Sequence, residues 1–251
     1  MKEFKSFTKL LAESSEKIIR EYFRKAISID TKADDSPVTI ADKKGEEVIR
    51  ELISKEFPEH GIIGEEFGIL NPDADYQWII DPIDGTKSFI SGAVTFGTLI
   101  ALTYKSKPIL GAFNQPILRE FLIGDNIETL LNGEKVSVRH TTSIEESTLL
   151  TTDHFNIAKY QDINKFNSLL RRVKLYRNWG DCYGYYLLAT GYADIMIDPI
   201  MSLWDTMALI PIINGAGGII TDYKGNPAES GDSIIAAIPE LHAYVIEMLN
   251  N

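Results

Sequence analysis

At 251 residues, with 44% apolar and 24% charged side chains, the chain has an ordinary globular composition and enough length to bury a large core. Its net charge of −11, from 36 acidic against 25 basic residues, argues against nucleic acid or an anionic membrane as the main partner, because both want a basic face. No apolar run reaches the roughly 20 residues that span a bilayer, and Met1–Lys5 lacks a signal-peptide core. The single cysteine, Cys182, excludes an internal disulfide, so the expected compartment is the cytoplasm.

Phe4, Phe7, Leu11, Ile18 and Tyr22 recur at helical spacing and predict an amphipathic helix over residues 3–26. The polar stretch Asp30–Pro37 interrupts it. A second helix is predicted from Ile40 to Phe57, with Val48, Ile49, Leu52 and Ile53 facing a core. Thr39-Ile-Ala-Asp42 matches a capping box at its start and puts Asp42 in the first turn. From about 60 to 150 the texture is β-like: strands are predicted at Gly61–Ile63, Trp78–Ile80, Thr95–Tyr104, Ile109–Asn114 and Phe121–Ile123, with turns at Lys105–Pro108 and Leu131–Glu134. Beyond 147 strands and helices alternate. The strands are Thr148–Thr152, Lys174–Tyr176, Ala193–Asp198, Ile219–Asp222 and Ser233–Ala237; the helices are Ile163–Arg172, Asp181–Thr190, Trp204–Asn214 and Glu240–Leu249. The expected organisation is an α+β half over 1–146 joined to an α/β half over 147–251.

Three acidic clusters follow or open apolar elements: Gly64-Glu65-Glu66, Asp81-Pro-Ile-Asp84-Gly-Thr86, and Trp204-Asp205. A carboxylate at the end of a buried strand or in the first turn of a buried helix is held on a rigid support. Asp81 and Asp84 flank a proline-stiffened turn and can project toward one point. Gly85 allows close backbone approach, and Thr86 adds a hydroxyl. Hard divalent cations want such oxygen ligands, with substrate phosphate completing the shell, so these residues could build a two-metal clamp on a phosphoryl group, though the three clusters do not by themselves identify a reaction. Each piece has a plainer explanation taken alone: Glu-Glu as a solvated loop, Asp-Pro-x-Asp-Gly as a turn, Asp205 as a helix cap.

Taken in order, Thr39–Asp42, Gly64–Glu66, Trp78–Thr86, and Trp204-Asp205 with the Gly215-Ala-Gly-Gly218 ending resemble the signatures of the inositol monophosphatase-like superfamily over nearly the whole chain. That resemblance implies a layered αβαβα sandwich, usually a homodimer, that hydrolyses small phosphorylated metabolites with two or three Mg²⁺ ions. It implies Glu65, Asp81, Asp84 and Asp205 as side-chain metal ligands, the Ile83 carbonyl as a backbone ligand, and Asp84, Gly85 and Thr86 around the phosphate. Thr86 and Asp42, together with Glu65, would position or deprotonate the attacking water. The presence of Glu65, Asp81, Asp84, Thr86 and Asp205 weighs against a catalytically silent scaffold.

The leaving alcohol is expected to be read by Asn178–Tyr185 and Asp198–Leu203. The Trp-Gly-Asp-Cys-Tyr-Gly-Tyr run, and Lys32–Thr39 more loosely, resemble the histidinol-phosphate phosphatase branch. A cationic leaving group wants anionic and aromatic partners, which makes Asp181, Asp198, Trp179 and Tyr183 the candidate contacts. Asp181 has an alternative role as a helix N-cap. Tyr185, Tyr186 and Leu187 are expected in the core. An inositol or sugar-alcohol monophosphatase is the second reading and a nucleotide 3′-phosphatase the third. His60, His140, His154 and His242 are expected in loops or on helix surfaces, and no reactivity is assigned to Cys182.

Overall fold

The described residues of a computed structural model are 1–26, 28–31 and 37–251. The stretch Lys32–Ser36, quoted above for its resemblance, lies outside them. Helix α1 (Lys2–Tyr22) is followed by the hairpin β1 (Ile29–Thr31) and β2 (Pro37–Thr39) and by α2 (Ile40–Glu56). Strands β3 (Gly61–Gly64), β4 (Gly68–Leu70) and β5 (Tyr76–Asp84) lead to the short α3 (Thr86–Ile90). Then come β6 (Gly97–Tyr104), β7 (Lys107–Gln115), β8 (Glu120–Gly124), β9 (Thr129–Leu131) and β10 (Glu134–Val136). The remainder is β11 (Thr148–Leu150), α4 (His154–Tyr160), α5 (Ile163–Leu170), β12 (Leu175–Arg177), α6 (Asp181–Ala189), β13 (Ile195–Asp198), α7 (Leu203–Thr206), α8 (Leu209–Gly215), β14 (Ile219–Thr221), β15 (Ile234–Ala237) and α9 (Pro239–Asn250).

An eight-stranded sheet in the order β10-β9-β8-β7-β6-β5-β3-β4 is antiparallel except where β3 runs parallel to β5. A five-stranded sheet has the order β12-β11-β13-β15-β14, with β11 parallel to both its neighbours. Helices α1 and α2 cover the outer face of the first sheet, and α6, α7 and α8 fill the space between the two. Helix α9 packs on the second sheet with α5 beside it. The layers are therefore αβαβα, as the resemblance implied. One apolar cluster runs through both halves, joining Ile79, Leu99 and Phe113 to Leu149, Ile195 and Met196 by way of Leu209, Ile212 and Ile213. No described helix is long and apolar enough to cross a membrane.

Several boundaries depart from expectation for local reasons. Helix α1 stops at Tyr22 because Phe23 turns extended (φ −61°, ψ 127°) and packs its ring against Phe89 and Phe96, at centroid distances of 5.7 and 5.3 Å. The helix expected over Trp204–Asn214 is two helices, α7 and α8. Pro211 has no N–H to offer the Met207 carbonyl four residues back, so the first segment cannot continue into the second. Helix α4 was not anticipated, since only Ile157 on it is buried and no apolar stripe marks it. Its start is fixed by Asp153, which accepts a 2.8 Å hydrogen bond from the Phe155 amide. Strand β4 escaped notice for a similar reason: all three of its residues are exposed at the sheet edge, so no alternation shows.

Candidate active site

Strand β5 ends in an irregularity on which the site depends. In a regular strand Asp81 and Asp84, three residues apart, would point to opposite faces. Asp81 pairs with Leu99 and Asp84 with Gly97, so one extra residue is accommodated between them. The bulge sits at Pro82-Ile83, where Pro82 lacks an N–H for the ladder and its carbonyl instead accepts the Thr98 hydroxyl at 2.8 Å. The Ile83 amide donates to Asp81 Oδ1 at 2.9 Å. Both carboxylates are thereby brought to one side.

Asp205 reaches the same point from the second half of the chain. It is the third residue of α7 and closes a capping box, its Oδ2 accepting from the Ser202 amide at 3.0 Å. One oxygen from each of Asp81, Asp84 and Asp205 lies within 4.8 Å of the others. Glu65, just past β3, lines the same cleft. Burial, then the charges of Glu65, Asp84 and Asp205, hold the Asp81 carboxyl well above the ordinary carboxylate range. Burial, then Asp181 and Asp205, do the same to Asp84. Such a set of hard oxygen donors, crowded at the cost of mutual repulsion, fits a hard divalent cation. The cleft has a volume of about 430 Å³.

Asp42 and Thr86 meet beside this cluster. Asp42 closes the capping box of α2, its Oδ2 accepting from the Thr39 amide at 2.8 Å and the Thr39 hydroxyl at 2.6 Å. Its other oxygen lies 3.2 Å from the Thr86 hydroxyl, which is also 3.0 Å from the Ile83 carbonyl. Burial is the main cause raising Asp42 above its ordinary pKa. The same local device, a carboxylate third in a helix, therefore places Asp42 and Asp205 from distant parts of the chain. Gly85 has a left-handed φ of 88° and is crossed by the start of α6: a Cβ there would sit 2.9 Å from Asp181 Oδ2 and 3.0 Å from the Thr95 carbonyl.

Of the expected substrate contacts, Asp181 lines the cleft. It is the first residue of α6 after the cap Gly180, not the cap itself. It adopts φ 51°, a strained conformation for a non-glycine residue, with its amide held by Thr152 Oγ1 at 2.8 Å. Burial, then Asp198, push its pKa up to about 7. Asp198 is only 3% exposed, and its two oxygens accept from the Thr152 amide (3.0 Å) and the Tyr185 hydroxyl (2.9 Å). It forms one wall of a side pocket of about 100 Å³ shared with Asp84, Asp153, Asp181 and Asp205.

Two aromatic candidates lie off the cleft wall. Tyr183 does not line the cleft; two residues beyond Asp181 it is rotated by about 200° around α6 and stacks on Tyr186 at 5.3 Å. Trp179 is 44% exposed while its neighbours Asn178 and Gly180 form the wall. Tyr185 and Tyr186 are buried as expected. His242 is buried rather than superficial and pairs with the Thr221 hydroxyl at 3.0 Å. His60 is stacked between Phe57 and Tyr76. Cys182 is buried, with its thiol pKa raised by burial, and its amide donates to Asp84 Oδ2.

The cleft also holds residues that no motif flagged. Lys87 follows Thr86 on α3 and brings a cation to the rim, and Asp153 and Asn156 enter from α4. Lys87 was legible as the residue after the motif, whereas Asp153 and Asn156 depend on a helix without a periodic signature.

The family model described as the inositol monophosphatase family matches residues 1–251. The chloroplastic bifunctional phosphatase IMPL2 of Arabidopsis thaliana is 44% identical over 95% of this chain and 72% of its own length. A histidinol-phosphatase of Chlorobaculum parvum is 37% identical over 96% and 94%. Among solved structures, an inositol monophosphatase from Zymomonas mobilis superposes with a TM-score of 0.88 at 37% identity, covering 98% of this chain and 97% of that one. With its gathered carboxylates and its match over the full length, the chain belongs to the inositol monophosphatase family and is a phosphoric monoester hydrolase.

Proposed function

We propose that the protein is a Mg²⁺-dependent histidinol-phosphate phosphatase, converting L-histidinol phosphate and water to L-histidinol and inorganic phosphate. The observation that carries the substrate assignment is the acidic side pocket, where Asp153, Asp181 and Asp198 stand beside Asp84 and Asp205. A polyol would want neutral hydrogen-bonding groups there, whereas an ammonium and an imidazole are matched by carboxylates. Likeness to the histidinol-phosphatase of Chlorobaculum parvum at 37% identity supports the same reading. The Zymomonas mobilis inositol monophosphatase, equally similar, keeps an inositol phosphate as the second reading.

Glu65, Asp81, Asp84, Asp205 and the Ile83 carbonyl would hold the cations. Bound there, Mg²⁺ supplies charge neutralisation for the phosphate oxygens and lowers the pKa of water. Gly85 and Thr86 line the cleft and would face the phosphate, where the first-turn amides of α3 have no partner within the helix. The Thr86 hydroxyl sits between Asp42 Oδ1 and the Ile83 carbonyl and relays the proton of the attacking water to Asp42. A buried carboxylate with a raised pKa is the better base for it. The water oxygen bonds to phosphorus as the ester P–O bond breaks; the leaving alkoxide departs on the Asp181 side and takes a proton from solvent, and Asp42 then releases the proton of the attacking water to solvent. Asp181→Ala is expected to lower kcat/KM about 10-fold or more for histidinol phosphate, the loss of a charged contact, and far less for a simple aryl phosphate. Equal losses on the two substrates would remove Asp181 from recognition.

A further inference from the structure

Glu46 takes no part in the chemistry above, yet it is a fully buried carboxylate, 0% exposed. It projects from α2 beneath the turn that joins β3 to β4. One oxygen accepts from the Glu66 amide at 2.8 Å and the other from the Phe67 amide at 3.2 Å. Arg50, one helical turn on, donates its Nε to Glu46 at 2.6 Å and its Nη2 to the Gly68 carbonyl. The pair thus holds the turn at both ends, from Glu66 to Gly68. Gly64 makes room for it: a Cβ at that position would lie 1.9 Å from Glu46 Oε1.

We propose that Glu46, clamped by Arg50, is a positioning residue that sets Glu65 at the cation site. Glu65 is caught between two fixed points. Its amide donates to the Ile80 carbonyl at 3.2 Å, and the next two amides are fixed by Glu46. Its carboxylate lines the cleft and is the strongest charge acting on Asp81. Glu65 sits on the turn itself, two residues before the Phe67 amide that Glu46 holds, so the path of that turn sets where its carboxylate reaches. Helix α2 then serves the site twice, through Asp42 in its first turn and through Glu46 one turn later. The Gly-Glu-Glu motif acquires a physical reason for its glycine. Buried groups that orient a metal ligand in this way typically cost 10–100-fold in metal affinity when removed.

The inference rests on the cation-binding reading of the cleft, and the test separates the two. Mn²⁺ is titrated calorimetrically into metal-free wild type, Glu46→Gln, and Ile53→Val, a substitution in the α2 core that does not touch the turn. The expected result is about a 10-fold weaker Mn²⁺ affinity in Glu46→Gln, with affinity unchanged in Ile53→Val. With histidinol phosphate, the half-saturating Mg²⁺ concentration should rise while kcat at saturating Mg²⁺ stays near wild type. Wild-type Mn²⁺ affinity retained in Glu46→Gln overturns the positioning role. Absence of Mn²⁺ binding by the wild type overturns the cation-site reading and this role with it. If Glu46→Gln fails to fold, Arg50→Lys decides: it keeps the charge but loses the two-ended bridge, so weakened Mn²⁺ binding supports the role and unchanged binding overturns it.

Discussion

Asp84 is a residue at which stability and chemistry oppose one another. Its carboxyl is raised by burial and by Asp181 and Asp205. A group whose folded pKa lies above its unfolded value contributes stability below the unfolded pKa and loses it as pH rises through the folded one. As pH rises through that folded value, ionisation of Asp84 therefore destabilises the metal-free protein. Asp84→Asn keeps an oxygen for the Cys182 amide and removes the charge. It is expected to abolish hydrolysis while raising the metal-free Tm by about 2–4 °C, the equivalent of about 1 kcal/mol in a chain of this size. Retained Mg²⁺-dependent turnover, or a lowered Tm, would count against the assignment. Thr86→Val is expected to lower kcat about 100-fold or more with Mn²⁺ affinity unchanged in titration; a parallel loss of Mn²⁺ binding would instead make Thr86 a structural support of the cation site. At this scale the acidic residues were legible because each follows or opens an apolar run. Spacing along the chain did not give the phase of Tyr183 around α6, and the role of Glu46 was invisible because the backbone amides it holds lie about twenty residues away.

Among the elements, β5 shows how a strand becomes a site. Its first half is an anchor: Trp78 is fully buried and donates Nε1 to His60 Nδ1 at 3.1 Å. His60 is itself stacked on Phe57 at 4.7 Å and on Tyr76 at 5.0 Å. The C-terminal end of β5 carries the carboxylates, Asp81 just before the bulge and Asp84 just after it. Burial lowers the His60 pKa below the usual 6.5, and Nδ1 can accept from Trp78 only while unprotonated. A histidine with a depressed folded pKa contributes stability that is present above the unfolded pKa and is lost as pH falls through the folded value. The stability difference between wild type and His60→Phe, measured by urea unfolding, should accordingly shrink as pH is lowered from about 7.5 to about 5. A pH-independent difference would mean that the imidazole contributes only its stacking. Helices α1 and α2 and the central strands were readable from their apolar spacing. The break at Pro211 was written in the sequence but outweighed by the apolar run around it, and α4 left no pattern to read.

Over the whole molecule, the site exists because the two sheets share a core. Asp205 arrives on α7, which packs against β5 and β6, and Arg139 joins the segment after the first sheet to buried Asp194, which precedes β13. Periodicity alone indicated an α+β half and an α/β half; their stacking into five layers came from resemblance, since no local pattern states which faces of two sheets meet. The motif at Asp81–Thr86 points to phosphate ester hydrolysis, while the leaving group is left to the acidic wall around Asp181. The most direct test of the account is the release of inorganic phosphate from histidinol phosphate, an inositol monophosphate and phosphoadenosine phosphate side by side, with Mg²⁺ and with EDTA. Turnover that requires Mg²⁺ and favours histidinol phosphate by about 10-fold or more in kcat/KM, one charge-assisted contact's worth, is the expected result. Equal or greater kcat/KM on the inositol phosphate, or hydrolysis that survives EDTA, would contradict it.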